Sequence, residues 1–365
     1  MFWGISTIII LLMILFFGLR PKGLQLENPV TFLPGKKAIV FKRHGIAYVN
    51  DLKTFRESGK FDALTVELAV RSTDDGAHGF GSLLMLHDGS DRRQLFMGQW
   101  QSYFVVMNGD DYDHTENRPR LSVKGVFSNN KTRFITVTAD ESGTRIYIDG
   151  LLAAANKDWQ MQVPQKGKPL RMVVGNSVTA KGSWIGEIFG LALCNRVLSP
   201  EQVTRHFERW QQENQFPIET GESPLAYYTF DSIQNDQVAD LSGNGQALHI
   251  PSKPVVLEKI VLSPPWSDFK PDFSLLLDVV LNVIGFIPLG FAMSGLLKQS
   301  TQWPVRMAVP AILVFCFSVS LGIEIIQAWM PTRSSSLLDL ILNTLGAGMG
   351  IWIFSRRGKM VWFVR

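Results

Sequence analysis

The sequence predicts a two-part membrane protein, an all-β sandwich carried on the outer side by an α-helical bundle of four transmembrane helices. Three observations lead there. Apolar, nearly charge-free stretches lie at the two ends of the chain. Between them run short alternating segments punctuated by turn residues. The short loops between the apolar stretches carry their basic residues unevenly. Composition agrees. Of 365 residues 46% are hydrophobic and 19% charged, where a soluble domain carries about 25% charged. The two cysteines, Cys194 and Cys316, cannot build a disulfide framework. A net charge of +4 without a basic run leaves no footprint for nucleic acid.

Phe2 to Leu19 holds no charge and is close to the minimum for a span, about 17 residues. It has no basic leader and no small-residue cleavage site, so it reads as an uncleaved helix. Ser274 to Leu297 contains one acid, Asp278. Val305 to Trp329 has Arg306 at its start and Glu324 inside, and Leu337 to Phe354 carries only Asp339. Lys298 and Arg306 bracket the loop between the second and third spans, and Arg356, Arg357, Lys359 and Arg365 crowd the tail. Neither segment holds an acid, so both should be cytoplasmic. The loop Pro331 to Ser336 carries only Arg333 and should lie outside. Residues 21–272 then fall outside too, and both termini inside. The expected organisation is a first transmembrane helix over 1–20, a sandwich over 21–255, a linker over 256–273, three membrane helices over 274–356 and a cytoplasmic tail over 357–365.

Strand-like runs recur at Leu64–Val70, Ser82–Leu86, Tyr103–Met107, Phe134–Thr138, Arg145–Ile148 and Arg171–Val174. Asp88-Gly89, Asn108-Gly109, Asp149-Gly150 and Gly175-Asn176 punctuate them, as in an antiparallel sandwich. Asp149-Gly150 is a hairpin signal. Ser199-Pro200-Glu201-Gln202 opens a short helix, with Ser199 as N-cap, Pro200 at the first helical position and Gln202 completing a capping box. Together with Val174-Gly175-Asn176 and the run from Ile185 to Gln202, these segments resemble a laminin-G-like, concanavalin A-type jelly roll. Such modules bind glycans, bind proteins or act as spacers. Leu225 to Asp231, followed by Asp240 to Gly245, resembles the segment that usually opens such a domain. Here it comes last, and it is expected to close the sandwich beside its first strand.

The carboxylate pattern of the glucanases on this scaffold is absent, and Glu67 and Glu187 read as exposed charges on strand faces. In the loop from Asn108 to His114, Asp110, Asp111 and Asp113 have oxygen spacing suited to calcium. The full ligand pattern is missing, so a solvated loop is the plainer reading. No other cofactor is expected.

Polar residues within the spans are the informative feature. Asp278-x-x-x-Asn282-x-x-Gly285 and Asp339-x-x-x-Asn343-x-x-Gly346 share one pattern, with the three residues on one helix face. Glycine there admits a neighbouring helix, and Gly350 extends the seam. The two copies suggest a pseudo-two-fold about the membrane normal. Glu324 lies about five residues before the outer end of its span, roughly 7–8 Å deep. Gln327 shares its face, and Arg333 can reach down from the outer loop. One charged residue at mid-span costs about 2.5–3.5 kcal/mol on insertion scales. Two readings stay open: polar contacts that bind the helices together, or a site open to the outside.

Asn282-x-x-Gly285-Phe-Ile-Pro-Leu-Gly290, Glu324-x-x-Gln327, Arg333 and Asp339-x-x-x-Asn343-Thr-x-Gly346 resemble the VanZ family, over about Leu275 to Ile353. The resemblance implies a bacterial cell-membrane protein of the envelope, linked in some members to glycopeptide resistance. A sandwich domain is inserted after the first helix. The expected function is non-catalytic: the sandwich binds a glycan or protein, and Asp278, Asn282, Glu324, Gln327, Arg333, Asp339 and Asn343 hold an envelope lipid or its head group. The alternative is a membrane enzyme acting on a lipid-linked intermediate, with Glu324, Asp278 or Asp339 as general acid or base. A nucleophile–histidine pair is missing from the spans, which weighs against it. A proton- or cation-coupled carrier ranks third. The expected partners are the membrane and an envelope lipid or cell-wall glycan, with no nucleic acid. Nothing in the sequence specifies an oligomeric state.

Overall fold

The computed structural model describes residues 2–21, 27–53, 63–74, 79–90, 94–109, 118–164, 169–213, 216–217, 224–265, 273–301, 303–331 and 333–357. The chain divides into two compact units. One is Gln25–Glu258; the other joins Met1–Leu24 to Lys259–Arg365.

The first unit is a two-sheet antiparallel sandwich. Its strands in chain order are β1 (Val30–Leu33), β2 (Ala38–Phe41), β3 (Ala47–Val49), β4 (Leu64–Ser72), β5 (Phe80–His87), β6 (Leu95–Trp100), β7 (Tyr103–Asn108) and β8 (Arg120–Val123). There follow β9 (Arg133–Asp140), β10 (Gly143–Ile148), β11 (Leu151–Asn156), β12 (Arg171–Val174), β13 (Gly186–Cys194), β14 (Ala226–Thr229), β15 (Gln237–Val238) and β16 (Leu248–His249). One sheet runs β1-β2-β13-β4-β9-β10-β11, with β14 also on β13; the other runs β15-β16-β3-β12-β5-β6-β7-β8. Alternate residues Leu64, Val66, Leu68 and Val70 of β4 point into the core, where they join Leu84, Leu86, Ile135 and Val137. Trp184 is buried there, and its indole N–H donates to Gln99 Oε1 at 3.0 Å, as a buried indole requires.

All six predicted strand runs lie within strands. Asp149 (φ 52°) and Gly150 (φ 78°) both take the left-handed conformation that a two-residue hairpin needs between β10 and β11. The predicted helix is α1 (Pro200–Glu213) in this unit, longer than expected. Its capping box is reciprocal: Gln202 N–H donates to Ser199 Oγ at 3.3 Å, and Ser199 N–H donates to Gln202 Oε1 at 2.9 Å. The final segment does close the sandwich, but on a different strand. β14 pairs with β13 over Gly190–Leu193, not with the first strand, and Tyr228 and Phe230 fill the core. At the unit's ends Asn28 N–H donates to Ser252 O at 2.9 Å.

The second unit is helical: αA (Phe2–Leu19), αB (Phe273–Ser300), αC (Val305–Gln327) and αD (Leu337–Arg357). All four are long and apolar enough to cross a membrane, so the chain is a multi-pass membrane protein. Trp3, at the start of αA, packs on Phe291 and Phe354 toward the ends of αB and αD, each at 5.8 Å between ring centroids. Gly18, near the end of αA, lies against Ile323 near the end of αC. Thus αA and αC run one way, αB and αD the other.

αB and αD touch backbone to backbone. A Cβ on Gly346 would strike the Val283 carbonyl, one on Gly350 the Ile287 carbonyl, and one on Gly290 the Ala347 carbonyl. This is the small-residue seam of a membrane helix pair. Gly285 departs from the expectation. It is exposed, and a Cβ there would meet nothing within 4 Å. The glycine that serves αB is Gly290, because αD packs on the face of αB that carries Val283, Ile287 and Gly290, and Gly285 lies off that face.

These placements separate two glycines that look alike in sequence. Gly346→Val should lower the melting temperature in detergent, at a cost of about 1–3 kcal/mol for overpacking. Gly285→Ala should be neutral or stabilising by up to about 1 kcal/mol. In the sandwich, Phe230→Ala should cost roughly 3–5 kcal/mol, measured by chemical unfolding, while Leu151→Ala, at a position 72% exposed, should change stability by less than about 0.5 kcal/mol.

Candidate functional site

Glu324 sits on the inner face of αC with 2% of its surface exposed. Its Oε2 accepts the Ser336 N–H at 2.7 Å, and the Ser335 hydroxyl also hydrogen-bonds the carboxylate. Ser336 immediately precedes αD. The carboxylate therefore stands at a helix N-terminus, where unpaired N–H groups and the helix dipole favour negative charge. Arg333 and Gln327 serve the end of αA in the converse way. Arg333 Nη2 donates to Phe17 O and Arg20 O, both at 2.9 Å, and its Nε donates to Arg20 O at 3.1 Å. Gln327 Nε2 donates to Gly18 O at 2.8 Å. The last carbonyls of a helix lack partners within it, and these two side chains supply them.

One turn deeper, Asn343 Nδ2 donates to Ser320 Oγ at 2.9 Å, with both residues buried. Asp339 is half-buried and acts electrostatically on Glu324. The structure thus brings Glu324, Gln327, Arg333, Asp339 and Asn343 to one end of the bundle. The αB copy of the motif behaves differently. Asp278 is exposed and Asn282 half-buried, and among the described residues no hydrogen bond or ion pair joins either to this cluster.

Sequence reasoning missed one partner. Leu262 and Ser263, expected to be linker, clasp the loop before αD: Leu262 N–H donates to Ser335 Oγ at 2.9 Å, Ser263 Oγ to Ser335 O at 2.8 Å, and Leu337 N–H to Ser263 O at 3.0 Å.

In the sandwich, Glu67 and Glu187 correct the expectation of exposed charges. Glu67 is fully buried; it accepts from Thr136 Oγ1 at 3.0 Å and pairs with His206 Nδ1 at 2.9 Å. Glu187 is 6% exposed, bonded by Arg71 at 2.5 Å and Lys36 at 3.5 Å. Both point to the outer face of their sheet, as alternation dictates. That face is not open, because α1 and the segment around Phe216 cover it with Phe207, Trp210 and Phe216. A buried carboxylate must be paired, and His206 on the apolar side of α1 was the available clue. Asp110, Asp111 and Asp113, the weak calcium candidates, lie outside the described residues. Among the described residues no group of three or more His, Cys, Asp or Glu is arranged to hold a metal. Cys194 and Cys316 are both buried, and neither is in a disulfide.

Residues 209–361 match the VanZ/LLP1 family model, and residues 47–204 match that of the concanavalin A-like lectin/glucanases superfamily. The VanZ/LLP1 match begins within α1, well ahead of αB. No curated protein matches the chain. Among solved structures, it is similar to a candidate carbohydrate-binding protein from Bacteroides ovatus at 13% identity and a TM-score of 0.43, over 65% of this chain and 63% of that one. It thus spans less than two thirds of that protein. It is also similar to CBM40 of the Ruminococcus gnavus IT-sialidase, solved with α2,3-sialyllactose, at 14% identity and a TM-score of 0.34, over 40% of this chain and 82% of that one.

The helix-end contacts make a direct prediction. Arg333→Met removes the bonds to Phe17 and Arg20, so the last turn of αA should fray. Amide hydrogen exchange over Phe17–Arg20 in detergent should accelerate several-fold, with little change for Asp278→Asn.

Proposed function

We propose that this chain, a VanZ/LLP1 region joined to a concanavalin A-like domain, is an envelope membrane protein that presents its sandwich outside to bind a glycan, and whose bundle meets a lipid head group at its outer end. The observation that carries this reading is the polarity of the bundle. The chain leaves αA at Arg20 and returns at the start of αB, and both points lie at the end that holds Glu324, Gln327 and Arg333. Lys298, Arg306, Arg356 and Arg357 lie at the opposite end. Basic residues in short loops and tails stay cytoplasmic, which turns the polar end and residues 21–272 outward. Lectins are among the members of the concanavalin A-like superfamily by its description, which supports a glycan as the sandwich's ligand.

At that depth the cluster has two layers. Glu324, Gln327 and Asn343 are buried and hold helices together. Asp278, Asn282, Asp339 and Arg333 are more accessible and form the rim, where a zwitterionic or hydroxyl-bearing head group finds both signs of charge.

A periplasm-active reporter should be active when fused after Gly221 and silent when fused after Arg365; the reverse pattern overturns the orientation. Mass spectrometry of lipid carried through purification tests the rim. Asp339→Asn and Asp278→Asn should each reduce the retained lipid at an unchanged melting temperature. Retention equal to wild type in both would reduce the bundle to an anchor.

A further inference from the structure

One edge of β13 is shared by two strands placed end to end. β2 pairs with Gly186–Ile188 and β14 with Gly190–Leu193, so Phe189 falls in the gap between them. On the other edge the register against β4 jumps, with Ile188 opposite Val70 and Gly190 opposite Ala69. Phe189 is the extra residue of a β-bulge, a device that re-aims a side chain out of the ladder. A pocket of about 250 Å³ opens at this place. Phe189, Trp210, Phe216 and Tyr227 supply its aromatic lining, and Lys36, Lys37, Thr229 and Asp231 its polar lining.

The aromatic lining is preformed. Trp210 and Phe216 each pack on Phe134, at 5.5 Å between ring centroids. A Cβ on Gly190 would strike the Phe216 ring, so only glycine lets that ring lie on the sheet. Tyr227 donates its hydroxyl to Phe216 O at 2.6 Å. Burial pushes the Tyr227 phenol up to about 12, which keeps that proton in place. The polar side is organised too. Lys37 Nζ reaches Asp231 Oδ1 at 3.0 Å across the gap between β2 and β14, and Thr229 Oγ1 donates to Asp231 Oδ2 at 2.8 Å. These bonds hold the Asp231 carboxyl below its ordinary range. Of the charged side chains that line the pocket, two are cations, Lys36 and Lys37, and one is a carboxylate, Asp231, so the local balance is positive.

We propose that this pocket binds a single pyranose unit bearing a carboxylate, an acidic sugar of a longer glycan. The proposal rests on the reading that the sandwich binds a glycan, and adds where and of what class. The aromatic rings receive the apolar C–H face of the sugar. Asp231 and Thr229 accept from its hydroxyls, and Lys36 and Lys37 take the carboxylate through charge-assisted bonds. The volume lies below the roughly 300–1,000 Å³ of drug-sized ligand pockets, so one ring enters and the rest of the chain stays outside.

The test uses the full chain in detergent, titrated calorimetrically with oligosaccharides ending in glucuronate, galacturonate or sialate, and with their neutral counterparts. At least one acidic probe should bind ten-fold or more tightly than its neutral counterpart. The double variant Lys36→Met/Lys37→Met changes only exposed side chains; it should lose that preference and weaken acidic binding at least ten-fold. Trp210→Ala should weaken both classes, with its melting curve as the control for folding. Equal affinity for acidic and neutral probes overturns the assigned class. Acidic binding unchanged in the lysine variant overturns the pocket while the glycan reading stands. A wild-type chain that binds no member of the panel and no spot of a broad glycan array overturns both.

Discussion

Backbone contact between αB and αD organises the membrane unit, and it depends on three missing side chains. In a bilayer apolar surface gains nothing by leaving lipid for another helix, so association relies on close packing and on polar contacts. Gly290, Gly346 and Gly350 bring each helix against the carbonyls of the other. Pro288 also lies inside αB, where it removes one backbone donor. The remaining helices arrange themselves around that pair: αA through Trp3 against Gly295, and αC through the bond from Asn343 to Ser320.

The end of the bundle that holds Glu324 obeys a second constraint, that helix termini near hydrocarbon still need partners. One acid receives the start of αD, while one guanidinium and one amide receive the end of αA. Opposite charges thus stand over opposite helix ends, each with the sign the local dipole prefers. This gives the residues of the polar cluster a structural task whatever else they do. It also separates the buried members, Glu324, Gln327 and Asn343, from the more exposed Asp339 and Arg333.

Much of this was legible in the sequence. Span limits followed from charge-free length, and the hairpin and the capping box followed from local chemistry that tertiary context does not alter. What failed was decided by neighbours distant in sequence. Gly285 and Gly346 occupy the same place in the same motif, yet only Gly346 has a helix backbone opposite it. Asp278 and Asp339 diverge for the same reason. Glu67 was placed on the correct face of β4, but nothing local reveals that α1 lies over that face. β1, β2 and β11 escaped notice because they lack clean alternation; β11 is largely exposed, with Leu151 and Leu152 at 72% and 58%. The bulge at Phe189 is invisible without the register of β4.

The bond from Asn28 to Ser252 joins the two ends of the sandwich unit. A domain whose ends meet behaves as a cassette: it can occupy a loop between two helices without forcing them apart, and the entropy of closing that loop is already met by the fold of the insert. The same clasp fixes how load travels. Tension applied to the sandwich unit divides between its two chain connections, one to αA and one to αB, so neither helix alone bears the pull.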